Sequence, residues 1–247
     1  MIHIDHLTKR FGRSVAVDDA SIRIRPGESV ALWGANGAGK TTIIRCLTGL
    51  YRYEGTIQVD GYDAIRHGKR VRQQIGYVPQ ELGFYDDLRV SAAIEFFATL
   101  RGVSTNTDSV LARVQLDGHA RKRMRELSGG MKQRLALAIA LIGDPPVLVL
   151  DEVTASLDSA GRREFVALLA ALAQADGRCV LFASHRLEEI EALASRVILL
   201  DRGHVADDLD VYAFASRVKG SAVLHLTPAD PVDDFEAAST QLIERQA

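Results

Sequence analysis

The stretch Gly34-Ala35-Asn36-Gly37-Ala38-Gly39-Lys40-Thr41 does most to narrow what this chain can become. It fits the spacing G-x-x-x-x-G-K-[ST], follows the apolar run Ser29–Trp33 and precedes a helical run over Thr42–Leu47. A strand that turns through glycines into a helix aims successive backbone N–H groups at one point, and the helix N-terminus adds positive potential there. The result is a phosphate cradle. Lys40 is spaced to reach the β- and γ-phosphates of a nucleotide, and the Thr41 hydroxyl to ligate Mg²⁺. Residues 34–41, with Thr42 behind them, are therefore candidate nucleotide contacts.

A second run, Val147-Leu148-Val149-Leu150-Asp151-Glu152, reads as a buried strand ending in two carboxylates. That places the acids at the C-terminal edge of a sheet, where α/β folds bind ligands. Asp151 is the candidate for a metal shell, and Glu152 for activating an attacking water. Between these motifs the texture changes. The first 80 residues carry strand signals over Ile2–Leu7, Ala20–Arg25, Ser29–Trp33, Gly55–Asp60 and Gly76–Pro79. The Pro26-Gly27 turn suggests a hairpin, and hence an antiparallel sheet beside the nucleotide-binding core. Glu81–Pro145 reads as helical, with helices expected over Ser91–Arg101, Thr107–Val114 and Met131–Ile142. Strand and helix then alternate through Arg162–Gln174, Arg178–Ala183, Leu187–Ala194 and Arg196–Asp201, the pattern of an α/β layered core. Residues 211–247 read as a small appendage or partly mobile tail.

Composition removes several classes. Lys+Arg total 30 against 32 Asp+Glu, a net charge of −2, which argues against a basic nucleic-acid-binding domain. No run approaches the roughly 18 apolar residues of a membrane span, and Met1–His6 lacks the features of a signal peptide. Cys46 and Cys179 are too few and too isolated for a disulfide framework, and read as small buried hydrophobes. Arg121-Lys122-Arg123-Met124-Arg125 is read as a solvated basic lead-in to a helix, with a contact to nucleotide or to anionic lipid as the alternatives.

Leu127-Ser128-Gly129-Gly130-Met131-Lys132-Gln133 separates the remaining phosphate-loop families. Ser128 can cap the helix that follows, whose free N–H groups form another anion-binding end. Two such ends in one chain are useful if they meet across a dimer. With these residues the chain resembles the ATP-binding cassette (ABC) ATPases, whose signature is Leu-Ser-Gly-Gly-x-x-Gln. The resemblance spans roughly residues 1–205 and takes in six motifs in order. Gln80 in Tyr77-Val78-Pro79-Gln80 matches the family's Q-loop, and Ser156-Leu157-Asp158 its D-loop. His185 in Ala183-Ser184-His185 matches the switch histidine, and Phe11 stands where an aromatic stacks on adenine. Phe11 departs from the commoner Tyr, and Val153 from the commoner Pro, for which a slightly freer loop is expected.

The resemblance implies an α/β fold: a P-loop NTPase core with a mainly parallel sheet, an N-terminal antiparallel β-subdomain and an inserted helical subdomain. It implies an ATPase domain over 1–210, the helical subdomain over about 82–145, and 211–247 as a short C-terminal appendage. It further implies ATP and Mg²⁺ as ligands, the ion held by Thr41, Gln80 and Asp151. In a head-to-tail homodimer, ATP would lie between Lys40 of one chain and Ser128–Gly130 of the other. Glu152, His185, Gln80 and Lys40 would act catalytically, with Asp158 in the D-loop. A single cassette without a span implies separate membrane permease subunits, a cytoplasmic position on the inner face of the cell membrane, and no nucleic-acid partner. The segment Gln80–Arg101 resembles exporter-type cassettes. Phe84 and Tyr85 are candidate docking aromatics or subdomain core. Iron–sulfur-assembly ATPases are the soluble alternative. Chromosome-maintenance ATPases need a heptad insertion absent between Thr41 and Ser128.

Overall fold

A computed structural model describes residues 1–223. Strand β1 (Ile2–Phe11) turns through Gly12 into β2 (Ser14–Ile24), and the two pair antiparallel with Ile2 opposite Ile24. β3 (Ser29–Trp33) leads into the glycine loop and helix α1 (Lys40–Leu47). β4 (Glu54–Val59) returns to the free side of β1, and β5 (Tyr62–Asp63) closes the sheet in the order β2-β1-β4-β5. Helix α2 (Gly68–Gln74) then leads into β6 (Ile75–Val78).

The antiparallel sheet expected beside the core is present, but not from the expected hairpin. Pro26-Gly27 carries the chain from one sheet to the other: β2 pairs with β1, while β3 joins the later strands Cys179–Ala183 and Arg196–Asp201. A Pro-Gly turn fixes a change of direction, and cannot by itself say which strands pair.

Helices α3 (Val90–Arg101), α4 (Thr107–Arg113) and α5 (Gly129–Ala140) occupy the stretch read as helical, with one 3₁₀ turn at Met124–Glu126. β7 (Val147–Asp151), α6 (Ser159–Asp176), β8 (Cys179–Ala183), α7 (Leu187–Leu193) and β9 (Arg196–Asp201) follow in alternation. β10 (His204–Asp210) folds back on β9 through Arg202-Gly203, a hairpin partner that the alternation did not announce. The second sheet runs β10-β9-β3-β8-β7-β6, parallel throughout except for β10.

Strand periodicity divides the interior into two cores. Val30, Leu32, Val147, Val149 and Leu181 point toward α1 and the antiparallel sheet. Their neighbours Ala31, Trp33, Leu148, Leu150 and Phe182 point the other way, into a core shared with α3, α5 and α6. The central sheet is thus covered on both faces, which is why its strands read as continuous apolar runs. Cys46 and Cys179 lie in the first core, where burial pushes their thiols up to about 11 and about 12.

Of the segment expected to be an appendage, helix α8 (Val211–Val223) lies within the described residues and 224–247 outside them. α8 sends Phe214 into the second core, fully buried and edge-on to Trp33 at 5.2 Å. No helix among the described residues is long and apolar enough to cross a membrane.

Candidate active site

The glycine loop sits at the C-terminal end of β3, and close packing dictates two of its glycines. A Cβ on Gly34 would lie 2.4 Å from the Leu200 carbonyl oxygen. Gly39, at φ 108°, caps α1, and its Cβ would fall 2.8 Å from the Ala16 carbonyl oxygen. The loop is also held from outside. Gly203 N donates to the Ala38 carbonyl at 3.2 Å, and Asp18 N of β2 to the Gly203 carbonyl at 2.9 Å, so the turn that braces the loop is itself tied to the antiparallel sheet.

Lys40 is 4% exposed and folds over the loop, donating from Nζ to the carbonyls of Gly34 (2.6 Å) and Ala35 (3.2 Å). Glu152 Oε1 lies 3.6 Å from the same ammonium. Gln80 Nε2 donates to Glu152 Oε2 at 3.4 Å, and His185 Nδ1 stands 3.9 Å from that oxygen. The structure therefore gathers Lys40, Gln80 and His185 around the Glu152 carboxylate, the four residues coming from segments far apart in sequence. Glu152 sits at φ 47°, a left-handed turn immediately beyond β7, which swings its side chain out of the strand alternation and into this cluster.

Behind them, Thr41 Oγ1 donates to Asp151 Oδ1 at 2.9 Å. Asp151 is fully buried, and its Oδ2 has no hydrogen-bond partner among the described residues. Burial raises its pKa, and the Thr41 hydroxyl draws it back down. A hydroxyl beside an underused carboxylate oxygen is a hard-oxygen donor pair, and it suits Mg²⁺. No group of three His, Cys, Asp or Glu able to hold an ion occurs among the described residues, so such a cation would complete its shell with phosphate oxygens and water.

Phe11 lies at the end of β1, 45% exposed, with its ring edge-on to Tyr51 at 5.2 Å and Lys9 Nζ 4.7 Å from its centroid. An exposed aromatic so braced offers a face to a planar base. Ser128 and Asp158 are not drawn into the Lys40 cluster. Each caps a helix: Ser128 Oγ accepts from Met131 N at 3.3 Å, and Asp158 Oδ1 from Gly161 N at 2.7 Å. Gly129 is exposed, and a Cβ there would meet nothing within 4 Å, so the α5 N-terminus faces open space.

The freer loop expected at Val153 is absent. Val153 is buried, and Thr154 Oγ1 donates to Glu189 Oε1 at 2.5 Å. Glu189 is the residue that sequence reasoning missed. It is 6% exposed, accepts from Ser184 Oγ at 2.7 Å, and has Arg162 and Arg186 each at 3.8 Å. One carboxylate so joins the segment after Glu152 to the segment holding His185. Its only sequence signal was an acid within an apolar-periodic helix. Glu189→Ala strands two buried hydroxyls, and is expected to cost about 2–3 kcal/mol, read as a lower urea midpoint at unchanged m. Turnover should fall with it, because His185 loses its anchor.

Residues 17–155 match the family model described as ABC transporter. The daunorubicin resistance ATP-binding protein DrrA3 of Streptomyces coeruleorubidus is 36% identical, over 88% of this chain and 72% of that protein. The Nod factor export ATP-binding protein I of Paraburkholderia xenovorans is 35% identical, over 94% of this chain and 78% of that protein. Among solved structures, the dimeric post-hydrolysis state of the cassette MJ0796 bound to ADP and Pi superposes with a TM-score of 0.76. The identity is 25%, over 85% of this chain and 99% of that one.

Proposed function

The chain belongs to the ABC transporter family, as its ATP-binding and ATP-hydrolysing subunit, and from that premise we propose how its residues do the work and for what. The observation that carries the reading is the convergence of Lys40, Gln80 and His185 on Glu152, next to the Thr41–Asp151 pair.

The cradle 34–41, with Thr42, binds the phosphates through backbone N–H groups, and Lys40 leaves its loop carbonyls to meet the β- and γ-oxygens. Thr41 and Asp151, with Gln80 nearby, would hold Mg²⁺, which supplies charge neutralisation between the phosphates when bound. Glu152 orients the attacking water and takes its proton, and His185 contacts the γ-phosphate. Phe11 stacks on adenine. Base–aromatic stacking is worth about 1–3 kcal/mol, so Phe11→Ala is expected to weaken ATP binding by about 5- to 150-fold at little cost to maximal rate. Titration with a fluorescent ATP analogue reads the loss.

The open α5 N-terminus supports a head-to-tail homodimer. Ser128, Gly129 and Gly130 of one chain would close on ATP held by the other, with Asp158 near the seam. The MJ0796 cassette is dimeric, which supports a dimer here. In this reading residues 1–210 form the ATPase domain, 82–145 its helical subdomain, and α8 an addition docked onto it through Phe214. Tyr85, 83% exposed, and the exposed Phe96 and Leu100 of α3 would supply apolar docking contacts for membrane permease subunits, while Phe84 packs against the core. The chain then works at the cytoplasmic face of a membrane, and the Nod factor export relative supports export as its direction.

Affinity purification of the chain from membranes of the cells that make it, with transport measured in those cells, tests this. The expected result is one complex, with ATP-dependent efflux from cells. Absence of any co-purifying membrane protein, or uptake in place of efflux, would overturn the corresponding part.

A further inference from the structure

Two basic segments lie on the surface, and the structure treats them differently. Arg123 and Arg125 both bridge to Asp87, at 3.2 and 2.6 Å, so the segment 121–125 is partly neutralised. The segment Arg66-His67-Gly68-Lys69-Arg70-Val71-Arg72 is not. Arg66, Lys69, Arg70 and Arg72 are all exposed, and none takes part in a salt bridge among the described residues. Val71 and Ala64 are buried beneath and pin α2 to the body, which turns its cations outward.

Arg66, His67, Gly68, Lys69, Arg70 and Gln73 line an open depression of about 570 Å³, with no acid in its wall. The neighbouring carboxylate, Asp63, accepts from the backbone N–H groups of Ile65 (2.9 Å) and Arg66 (2.7 Å). Arg70 is stacked 3.9 Å over the Tyr62 ring, which holds its guanidinium in place. Beside these cations Ile65 stands 63% exposed. Like charges gathered without counter-charges cost a fold free energy through mutual repulsion. Ile65 adds a single apolar contact beside the cations, of the kind that can enter a lipid headgroup layer.

We propose that this depression on α2 binds the phosphate headgroups of anionic lipids, with Ile65 inserted beside them. The proposal rests on the reading that the chain works against a membrane. The whole chain carries a net charge of −2, so a local patch is required for it to approach an anionic surface. A Lys or Arg near such a surface contributes about fivefold in affinity.

The test is sedimentation of the full chain with phosphatidylcholine vesicles, with and without phosphatidylglycerol. Binding is expected only with phosphatidylglycerol, and should weaken as salt is raised. R66E/K69E should reduce it on the order of a hundredfold with ATP turnover retained, and R123E/R125E, an equal change in net charge at the Asp87-bridged cations, much less. Equal loss in both variants, or none in R66E/K69E, overturns the proposal. So does tight binding of inorganic phosphate without vesicles that R66E/K69E abolishes, since the ligand is then a soluble anion. If R66E/K69E binds vesicles normally but no longer co-purifies with the membrane subunits, the patch meets an acidic protein face and the lipid assignment fails. Because vesicle binding needs no permease, its result stands apart from the transporter reading.

Discussion

Glu152→Gln is expected to slow ATP turnover by about 10²- to 10⁴-fold, while ATP still binds. That range corresponds to about 3–5 kcal/mol on the barrier. The substitution keeps the shape of the side chain and its capacity to accept from Gln80, but removes its proton affinity and its charge. The carboxylate lies 3.6 Å from Lys40 Nζ, so the ammonium in the variant keeps its contacts to the Gly34 and Ala35 carbonyls and loses only a longer ion pair. ATP affinity should therefore hold, or rise slightly, as a negative charge leaves the neighbourhood of the γ-phosphate. Phosphate release in single turnover, set beside equilibrium binding of ATP, separates the two effects. A variant that hydrolyses ATP at the parental rate would remove Glu152 from its assigned place as base.

Lys40→Ala is expected to fail differently, losing turnover by about 10²- to 10³-fold together with ATP affinity. The buried ammonium donates to two of the loop's carbonyls, and an alanine leaves both acceptors without that donor. The loop should nevertheless persist, because Gly203 N still donates to Ala38 and Gly34 still fits against Leu200. The stability cost is then about 1–2 kcal/mol. Urea unfolding near the parental midpoint, with ATP no longer raising it, is the signature. If ATP stabilised this variant as much as the parent, Lys40 would not be a phosphate ligand.

The parts of the site built from backbone were the easiest to read in the sequence. A loop that must offer N–H groups at close range can be made from few residues, so Gly34–Thr41 announces itself. The strand Val147–Asp151 was equally plain, since a parallel strand covered on both faces has no room for polar residues. Pairing was harder. β1 and β2 are long and partly exposed, and their bulges between Ile4 and Arg10 blur the alternation. Pro26-Gly27 accordingly looked like the tip of a hairpin that the fold does not contain. Glu189 was hidden for another reason. Its partners, Thr154 and Ser184, become neighbours only when β7 and β8 lie side by side. The α2 cations are interrupted by His67, Gly68 and Val71 and stand out less in the sequence than the more compact 121–125 run. What distinguishes the two segments is Asp87, and its contacts exist only in three dimensions.

The turn at Arg202-Gly203 belongs to no motif, touches no nucleotide in the proposed arrangement, and lies far along the chain from the glycine loop. Both its residues are left-handed, and Gly203 is bonded to Ala38 on one side and Asp18 on the other. The stiffness of the phosphate loop is therefore borrowed in part from a distant hairpin. Substitutions there can alter how long ADP lingers without altering any group that takes part in the reaction. For a motor whose cycle time is set by release, that turn is a place where related chains can acquire different tempos while keeping the same chemistry.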